Sequence, residues 1–343
     1  MKIEIDLESR YDVIAERGTA EQAGELVKSV FSGEKACIIS DSKVFKLYGE
    51  KFTQNIEKAG IKACSFVFEE GESSKNLTTF CRIVESMGEM GLRRDDAVIG
   101  LGGGVTGDMA AFAASVYMRG IKYIAVPTTL LSMVDSSVGG KTAVDLKSGK
   151  NLAGTFYQPS LVLIDSDFLK TLSQEQIACG MAEVIKYGMI ADKELFELLE
   201  NNSNPDIDGI ICTSVKIKRE FVRGDEKDTG KRKILNFGHT IGHSIEKACG
   251  YSMTHGHAVA IGMAAVTRAL KGGEISERLE RLLKSYGLPT STDISAERIW
   301  RCAQNDKKGG RDGVDLIVPL DIGNCQVKKV GYDELYDIIK AGI

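Results

Sequence analysis

The chain has 343 residues, of which 43% are hydrophobic and 27% charged, and its formal net charge is −4. This length favours two domains, and mild acidity without a basic stripe excludes a nucleic-acid-binding surface. Because the apolar runs are too short to cross a bilayer and no signal-peptide pattern opens the chain, we expect no membrane partner.

The eight cysteines are spread along the chain from Cys37 to Cys325. No two of them form a Cys-x-x-Cys pair, the spacing typical of thiolate zinc sites and redox motifs. The pattern therefore predicts reduced thiols in a cytoplasmic protein, without a disulfide framework.

The first half of the chain alternates strand-like and helical patterns. β-branched runs predict strands at residues 36–40, 64–69, 96–102, 123–127 and 161–164, with amphipathic helices at 43–59 and 77–90. Such alternation predicts crossover connections and a mostly parallel sheet. We therefore expect an α/β domain over residues 1–167.

Helical periodicity dominates the rest of the chain, and we expect a mainly α-helical domain over residues 168–343. One hairpin, formed by residues 313–319 and 324–330, interrupts the helices. The predicted helices are residues 174–190, 193–201, 207–223, 237–249, 255–271, 274–286 and 332–341.

A glycine-rich turn, GGGVTGD at residues 102–108, follows one predicted strand and precedes an alanine-rich helix. This is the setting in which G-x-G-x-x-G lets the backbone approach a pyrophosphate at a helix N-terminus. The turn follows about the third strand, and no acidic residue stands some twenty positions later, so it departs from the standard dinucleotide fold. We interpret it as a nucleotide site of non-standard connectivity; a purely structural turn is the alternative.

The sequence DSSVGGKT at residues 135–142 ends like a phosphate-binding loop of ATPases. A Walker A loop needs glycine where Asp135 stands, so we reject ATP hydrolysis. Lys141, Lys150 and Asn151 would suit an anionic substrate, and a solvated loop is an equal alternative for each.

Two charged segments of the second half carry little signal by themselves. Glu183 and Lys186 are three residues apart on a predicted helix, where an exposed ion pair is the default. The stretch 219–233 mixes both charge signs and predicts a solvated loop.

All four histidines fall between positions 239 and 257. His239 and His243 lie on one face of a predicted helix, and His255 and His257 open the next helix. The concentration favours metal binding or acid–base chemistry. Helix-capping and loop histidines are the alternative.

These blocks, in this order, resemble the 3-dehydroquinate synthase family of sugar phosphate cyclases. The resemblance is collinear over nearly the whole chain. It is carried by residues 102–109, 117–120, 126–131, 134–142, 149–151, 156–159, 182–188, 235–243 and 255–256.

The resemblance implies the dehydroquinate synthase-like fold, an α/β Rossmann-like N-terminal domain plus a mainly α-helical C-terminal domain. It implies a divalent metal, zinc or alternatively cobalt, held by Glu183, His239 and His255, a ligand set that leaves positions open for substrate. It also implies NAD. The nucleotide residues would be Asp41, Glu72, Lys75, Gly103, Gly104, Val105, Asp108, Thr128, Thr129 and Lys150.

The implied substrate is a heptulosonate 7-phosphate, whose carboxylate and phosphate suit lysines and arginines. The implied reaction oxidises it transiently with NAD, eliminates phosphate, re-reduces the product and closes the ring by an internal aldol step. Arg119 would reach across a homodimer interface. The other substrate residues would be Asp135, Lys141, Asn151, Lys186, Lys218, Arg232, Asn236 and His243, with Lys307 or Lys308.

Two departures accompany the resemblance. The family usually has His-Gly-Glu where this chain has His255-Gly-His257, and Lys43 replaces an asparagine-like residue. Because a carboxylate next to a metal-bound histidine orients it, the first change would alter metal affinity, or His257 would take over as that partner. Another cyclase, an NAD- and metal-dependent polyol dehydrogenase, and a non-enzymatic paralogue are the alternatives.

Overall fold

The computed structural model describes residues 1–7, 9–202, 205–304 and 313–343. Lys307 and Lys308 lie outside the described residues. The strands are β1 (Lys2–Ile5), β2 (Tyr11–Ala15), β3 (Lys35–Asp41), β4 (Lys62–Phe68), β5 (Ala97–Gly102), β6 (Lys122–Pro127), β7 (Lys141–Leu146), β8 (Gly149–Phe156), β9 (Leu161–Ile164), β10 (Val314–Asp321) and β11 (Asn324–Val330). The helices are α1 (Ala23–Lys28), α2 (Ser42–Val44), α3 (Glu50–Lys58), α4 (Leu77–Glu89), α5 (Gly104–Val116), α6 (Gln174–Ala191), α7 (Lys193–Asn201), α8 (Ile207–Val222), α9 (His239–Ala248), α10 (His255–Leu270), α11 (Gly273–Ser285), α12 (Ala296–Gln304) and α13 (Tyr332–Gly342).

The chain divides into two compact units. The first contains residues 1–172 and 207–227, and the second contains residues 173–206 and 228–343. This division differs from a single boundary near residue 167, because α8 packs against β1, β2 and the turn Ser132–Ser136 of the first unit. Helical periodicity predicts that α8 exists but not which unit it joins.

The first unit is built on a seven-stranded sheet with the order β1-β2-β9-β6-β5-β3-β4. Only β1 is antiparallel to its neighbour. All six residues of β5 are buried, as expected for a central strand of a parallel sheet covered on both faces. The predicted mostly parallel α/β unit is confirmed.

Two hairpins of the first unit escape sequence prediction. β1 pairs with β2, and β7 pairs with β8 so that Lys141 lies opposite Phe156. β8 is largely exposed and contains two glycines, so it lacks the apolar alternation that marks a half-buried strand. Lys141 therefore begins a strand and does not sit in an open loop.

Helix α6 forms the centre of the second unit. It begins with a capping box in which Ser173 and Gln176 bond each other's backbone N–H groups. Every residue from 180 to 190 is buried, because α7, α10 and β11 pack around the helix. The predicted exposed ion pair of Glu183 and Lys186 is therefore wrong: both side chains are buried.

Helices α9 and α10 approach each other through glycines. A Cβ atom added to Gly262 would lie 2.0 Å from the carbonyl oxygen of Gly238 and 2.9 Å from the nitrogen of Gly242. Gly238 has φ 78°, a left-handed conformation that suits glycine. The contact fixes the helices that begin with His239 and His255.

Among the described residues, no helix is both long and apolar enough to span a membrane.

We predict that Gly262→Ala destabilises the second unit by about 3 kcal/mol or more, the upper end of overpacking costs, because the methyl group meets backbone atoms. Guanidinium unfolding followed by circular dichroism measures the change. Gly88→Ala in α4 is the control, since its Cβ meets open space and helix propensity favours alanine. An unchanged unfolding midpoint for Gly262→Ala would contradict the packing.

Candidate nucleotide and metal sites

The glycine-rich turn joins β5 to α5 as predicted. Gly103 is the N-cap of α5, and no side chain of the described residues caps this helix. The first N–H groups of α5 are thus left for an anion. The predicted residues Gly103, Gly104, Val105 and Asp108 all lie in this turn and the start of the helix.

Thr128 follows β6 next to the glycine turn, since its N–H donates to the carbonyl of Gly102 at 3.0 Å. Its Oγ1 is buried without a hydrogen-bond partner among the described residues. Thr129 instead bonds Ser132 at 2.8 Å between hydroxyls. A buried hydroxyl beside an uncapped helix start fits a nucleotide that the chain would hold here.

Asp41 brings an acidic group to the glycine-rich turn, although the sequence pattern lacks one downstream of the turn. It ends β3, which pairs with β5, and its Oδ2 accepts from the Thr106 hydroxyl at 3.3 Å. Its Oδ1 accepts from the N–H of Val44 at 2.9 Å and so caps α2. The dinucleotide rule counts residues along the chain and misses a carboxylate that arrives from the neighbouring strand.

A buried lysine connects predicted nucleotide and substrate residues. The Lys75 ammonium lies 2.6 Å from Asp108 Oδ2 and donates to Asn151 Oδ1 at 2.6 Å. Burial lowers the pKa of Lys75, but the charge and hydrogen bond of Asp108, together with the charges of Glu72 and Asp145, outweigh burial and leave this pKa raised. Lys150 lies 3.2 Å from Glu72 at the rim of the same cluster. Asn151, assigned to the substrate by resemblance, thus stands among nucleotide residues.

A cavity of the first unit lies under the glycine turn. Asp108, Ser136 and Lys141 line it, and Tyr123 forms part of its wall, donating its hydroxyl to Gly107 at 3.3 Å. Lys141 is exposed at the start of β7. The cavity therefore brings a cation assigned to substrate next to the nucleotide turn.

Asp135 and Lys218 meet within the first unit. The buried Lys218 ammonium lies 3.0 Å from Asp135 Oδ1 and also donates to the Asp135 carbonyl. Arg119 is exposed in the turn after α5, where it has φ 69° and follows Met118 at φ 50°. Such left-handed backbone is uncommon for residues other than glycine and fixes where the arginine leaves the fold.

The second unit brings three side chains together around one carboxylate oxygen. Glu183 Oε1 lies 3.6 Å from His239 Nε2 and 3.5 Å from His255 Nε2. Three donors at about 2.1 Å from a tetrahedral zinc ion would lie about 3.4 Å apart. The ligand atoms of the glutamate from α6 and of the histidines that begin α9 and α10 all lie within 4.8 Å of one another, so the three residues could hold a divalent ion.

His239 presents a free imidazole nitrogen to this cluster. Burial lowers the pKa of His239 to about 3, so the ring is neutral. Its Nδ1 lies 3.1 Å from the Phe237 carbonyl, which can only accept, so Nδ1 carries the proton. Nε2 then keeps the lone pair that a metal needs.

His255 stands between two carboxylates. Burial alone would lower its pKa, but hydrogen bonds to Glu183 and Glu246 outweigh burial and raise it to about 10. Its Nδ1 lies 3.4 Å from Glu246 Oε2. Sequence analysis missed Glu246; its position seven residues after His239 and three after His243 places all three on one helical face.

Lys186 pairs with the other oxygen of Glu183, Oε2, in a buried contact. It also lies 5.0 Å from the centroid of the Tyr187 ring. The ammonium keeps Oε1 directed to the histidines. Because burying such a pair costs desolvation energy, its place in the helix core indicates a role beyond stability.

The sequence also singles out four other residues of the second unit, Arg232, Asn236, His243 and His257. The His243 ring centroid is 5.2 Å from that of His239 and 5.7 Å from that of His255. Arg232 is buried, so the predicted solvated loop is wrong at that residue. Asn236 donates to the Lys233 carbonyl at 3.2 Å, and His257 has no hydrogen bond or ion pair to described residues.

Solved structures of known proteins share the fold of this chain. The protein is 26% identical to a solved 2-deoxy-scyllo-inosose synthase, with a TM-score of 0.89 over 100% of both chains. It is 26% identical to 2-epi-5-epi-valiolone synthase from Streptomyces hygroscopicus, with a TM-score of 0.86 over 99% of this chain and 98% of that one. The fold is that of the sugar phosphate cyclases.

Sequence comparison narrows the class to one family. The models of the N-terminal and C-terminal domains of 3-dehydroquinate synthase match residues 65–179 and 180–309. The 3-dehydroquinate synthase of Clostridium acetobutylicum is 42% identical over 98% of this chain and 99% of its own length. The chain belongs to the 3-dehydroquinate synthase family.

Proposed function

We propose that the protein converts 3-deoxy-D-arabino-heptulosonate 7-phosphate to 3-dehydroquinate and phosphate, a step of aromatic amino acid biosynthesis by the shikimate pathway. The observation that carries this proposal is the Glu183–His239–His255 cluster in a chain that matches a 3-dehydroquinate synthase over its whole length. A non-enzymatic paralogue would be expected to have lost part of this set, and a polyol dehydrogenase would not need the phosphate-binding cations.

NAD and a zinc ion are the proposed cofactors. The solved 2-deoxy-scyllo-inosose synthase was complexed with NAD⁺ and Co²⁺, and the 2-epi-5-epi-valiolone synthase had NAD⁺ and Zn²⁺ bound. When bound, NAD supplies a reversible hydride acceptor and the divalent ion supplies a Lewis acid. The uncapped start of α5 and the close approach of Glu183 Oε1 to both histidine Nε2 atoms support these assignments.

The chain's own residues bind and orient the reactants in this proposal. Glu183, His239 and His255 hold the metal, and the Lys186 ammonium pairs with Oε2 of the Glu183 carboxylate. His243 is one helical turn from His239 and has a ring suited to moving a proton near neutral pH. Cations bind the substrate carboxylate and phosphate, and the assigned groups are Lys141, Lys186, Lys218 and Arg232 with Asp135, Asn151 and Asn236.

A homodimer and a cytoplasmic location complete the proposal. Exposed apolar side chains lie at the end of α5, in the turn that contains Arg119, and on β8, which contacts α5, namely Val116, Met118, Leu152 and Phe156. Apolar side chains grouped on a surface favour a subunit contact. All eight cysteines are free thiols, which supports a reducing compartment.

We predict phosphate release from the heptulosonate 7-phosphate with NAD present in catalytic amounts and no accumulation of NADH. A chelator should lower the rate by about 100-fold or more, because the Lewis acid is lost, and added zinc should restore it. Glu183→Gln should behave like the chelated protein, and Lys247→Ala, at an exposed position of α9, should match the wild type. NADH accumulation without phosphate release would instead indicate a polyol dehydrogenase.

We predict that Arg119 acts on the partner's site, so that two inactive variants complement each other. Arg119→Ala and Glu183→Gln are purified, mixed at equal amounts, exchanged and assayed. Half of the dimers are then mixed and each has one intact site, so about a quarter of wild-type activity should return. No recovery, in a mixture that mass spectrometry shows to contain mixed dimers, would place Arg119 in its own subunit's site.

A further inference from the structure

We propose that Glu246 is a positioning residue that holds the His255 ring so that Nε2 faces the metal. The inference rests on the proposed metal site and names a residue beyond its three ligands. Carboxylates that accept the second ring N–H of a metal-bound histidine fix its tautomer and orientation. Glu246 stands where such a group is needed.

The geometry of His255 shows why it needs this partner. Its ring has a carboxylate at each nitrogen, Glu183 Oε1 at 3.5 Å from Nε2 and Glu246 Oε2 at 3.4 Å from Nδ1. The His255 side chain is 31% exposed, compared with 12% for His239. His239 is held by its burial and by the Phe237 carbonyl. His255 begins its helix in a more open environment, so Glu246 is the group that limits its rotation.

Glu246 itself is held firmly. Its side chain is only 7% exposed. The N–H of Tyr251 donates to its carbonyl at 2.7 Å, which folds the connection to α10 back on α9. Eight residues, 247–254, connect Glu246 to His255.

Gly256 fixes the opposite side of His255. Its N–H donates to Cys179 Sγ at 3.1 Å, and an added Cβ would lie 2.4 Å from the Cys179 carbonyl oxygen. The start of α10 is therefore pressed against α6 one turn before Glu183. His255 is thus fixed by backbone packing towards Glu183 and by Glu246 behind the ring.

The contact between Glu246 and His255 also bears on position 257, where this chain has histidine and the family usually has glutamate. His257 makes no hydrogen bond or ion pair with the described residues, so it does not replace the missing acid as a partner of His255. Glu246 provides the carboxylate instead. A competing possibility is a second metal ion, because ligand atoms of His243, Glu246 and His255 also lie within 4.8 Å of one another. Metal stoichiometry separates the two.

The test compares zinc affinity, by competition with a chromophoric chelator, and zinc stoichiometry in Glu246→Ala, Glu246→Gln and wild-type protein. We expect one zinc per chain and about 10–100-fold weaker binding in Glu246→Ala. Glu246→Gln should lose less, since its amide oxygen still accepts from Nδ1–H. Ser244→Ala is the matched control: Ser244 is buried on the same helix, and within the described ranges its hydroxyl donates to the Thr240 carbonyl alone, at 2.8 Å.

A second readout isolates positioning from a general structural effect. In cobalt-substituted protein the Nδ1–H protons of His239 and His255 give separate shifted proton resonances. The His255 resonance should exchange faster with water in Glu246→Ala, while the His239 resonance stays as in the wild type. Glu246→Gln keeps the side-chain volume and decides the question if the alanine variant does not fold.

The outcomes distinguish the inference from the site beneath it. If Glu183→Gln binds zinc as well as the wild type, the proposed metal site is wrong. If Glu183→Gln loses zinc while both Glu246 variants keep wild-type affinity and proton exchange, only the role of Glu246 is wrong. If the wild type binds two zinc ions and Glu246→Ala binds one, Glu246 is a ligand of a second metal ion and not a positioning residue.

Discussion

The buried contact between Lys186 and Glu183 is the constraint on which the second unit depends. A charged pair in the middle of α6 costs desolvation energy. This pair lies in the part of the helix that is fully buried, where α7, α10 and β11 pack against it. The lysine occupies one carboxylate oxygen and leaves the other between two imidazole nitrogens. The same pair therefore belongs both to the core of the unit and to its proposed metal site.

Helix packing fixes the positions of the two histidines relative to Glu183. The glycines of α9 and α10 let the two helices approach to backbone contact, and Gly256 does the same between α10 and α6. Both proposed histidine ligands stand at helix starts, where such contacts fix position better than a loop would. Packing also determines the proposed nucleotide site of the first unit. The ends of adjacent strands bring together a glycine turn, a buried threonine hydroxyl and a carboxylate.

Periodicity predicted most strands and helices of this chain, including β9 and α7 with their observed bounds. It could not predict β8, which is exposed on both faces, or the membership of α8. Glu183 and Lys186 were wrongly predicted to be exposed, because helical spacing does not reveal how many neighbouring elements cover a helix. Asp41 reaches the glycine-rich turn from the neighbouring strand, and spacing rules do not contain strand order. Helical spacing places Glu246 on the face of His239 and His243, but its contact with His255 depends on how α10 packs against α9. Resemblance named the three ligands but not the carboxylate behind one of them.

The central claim is that one oxygen of Glu183 and one nitrogen each of His239 and His255 form a single divalent metal site. A crystal structure of the zinc-loaded protein, with anomalous scattering recorded at the zinc edge, tests it most directly. We predict one peak per chain, about 2.0–2.2 Å from Glu183 Oε1, His239 Nε2 and His255 Nε2. A peak bound by His243 and Glu246 instead, or zinc found only at other surfaces, would contradict the account.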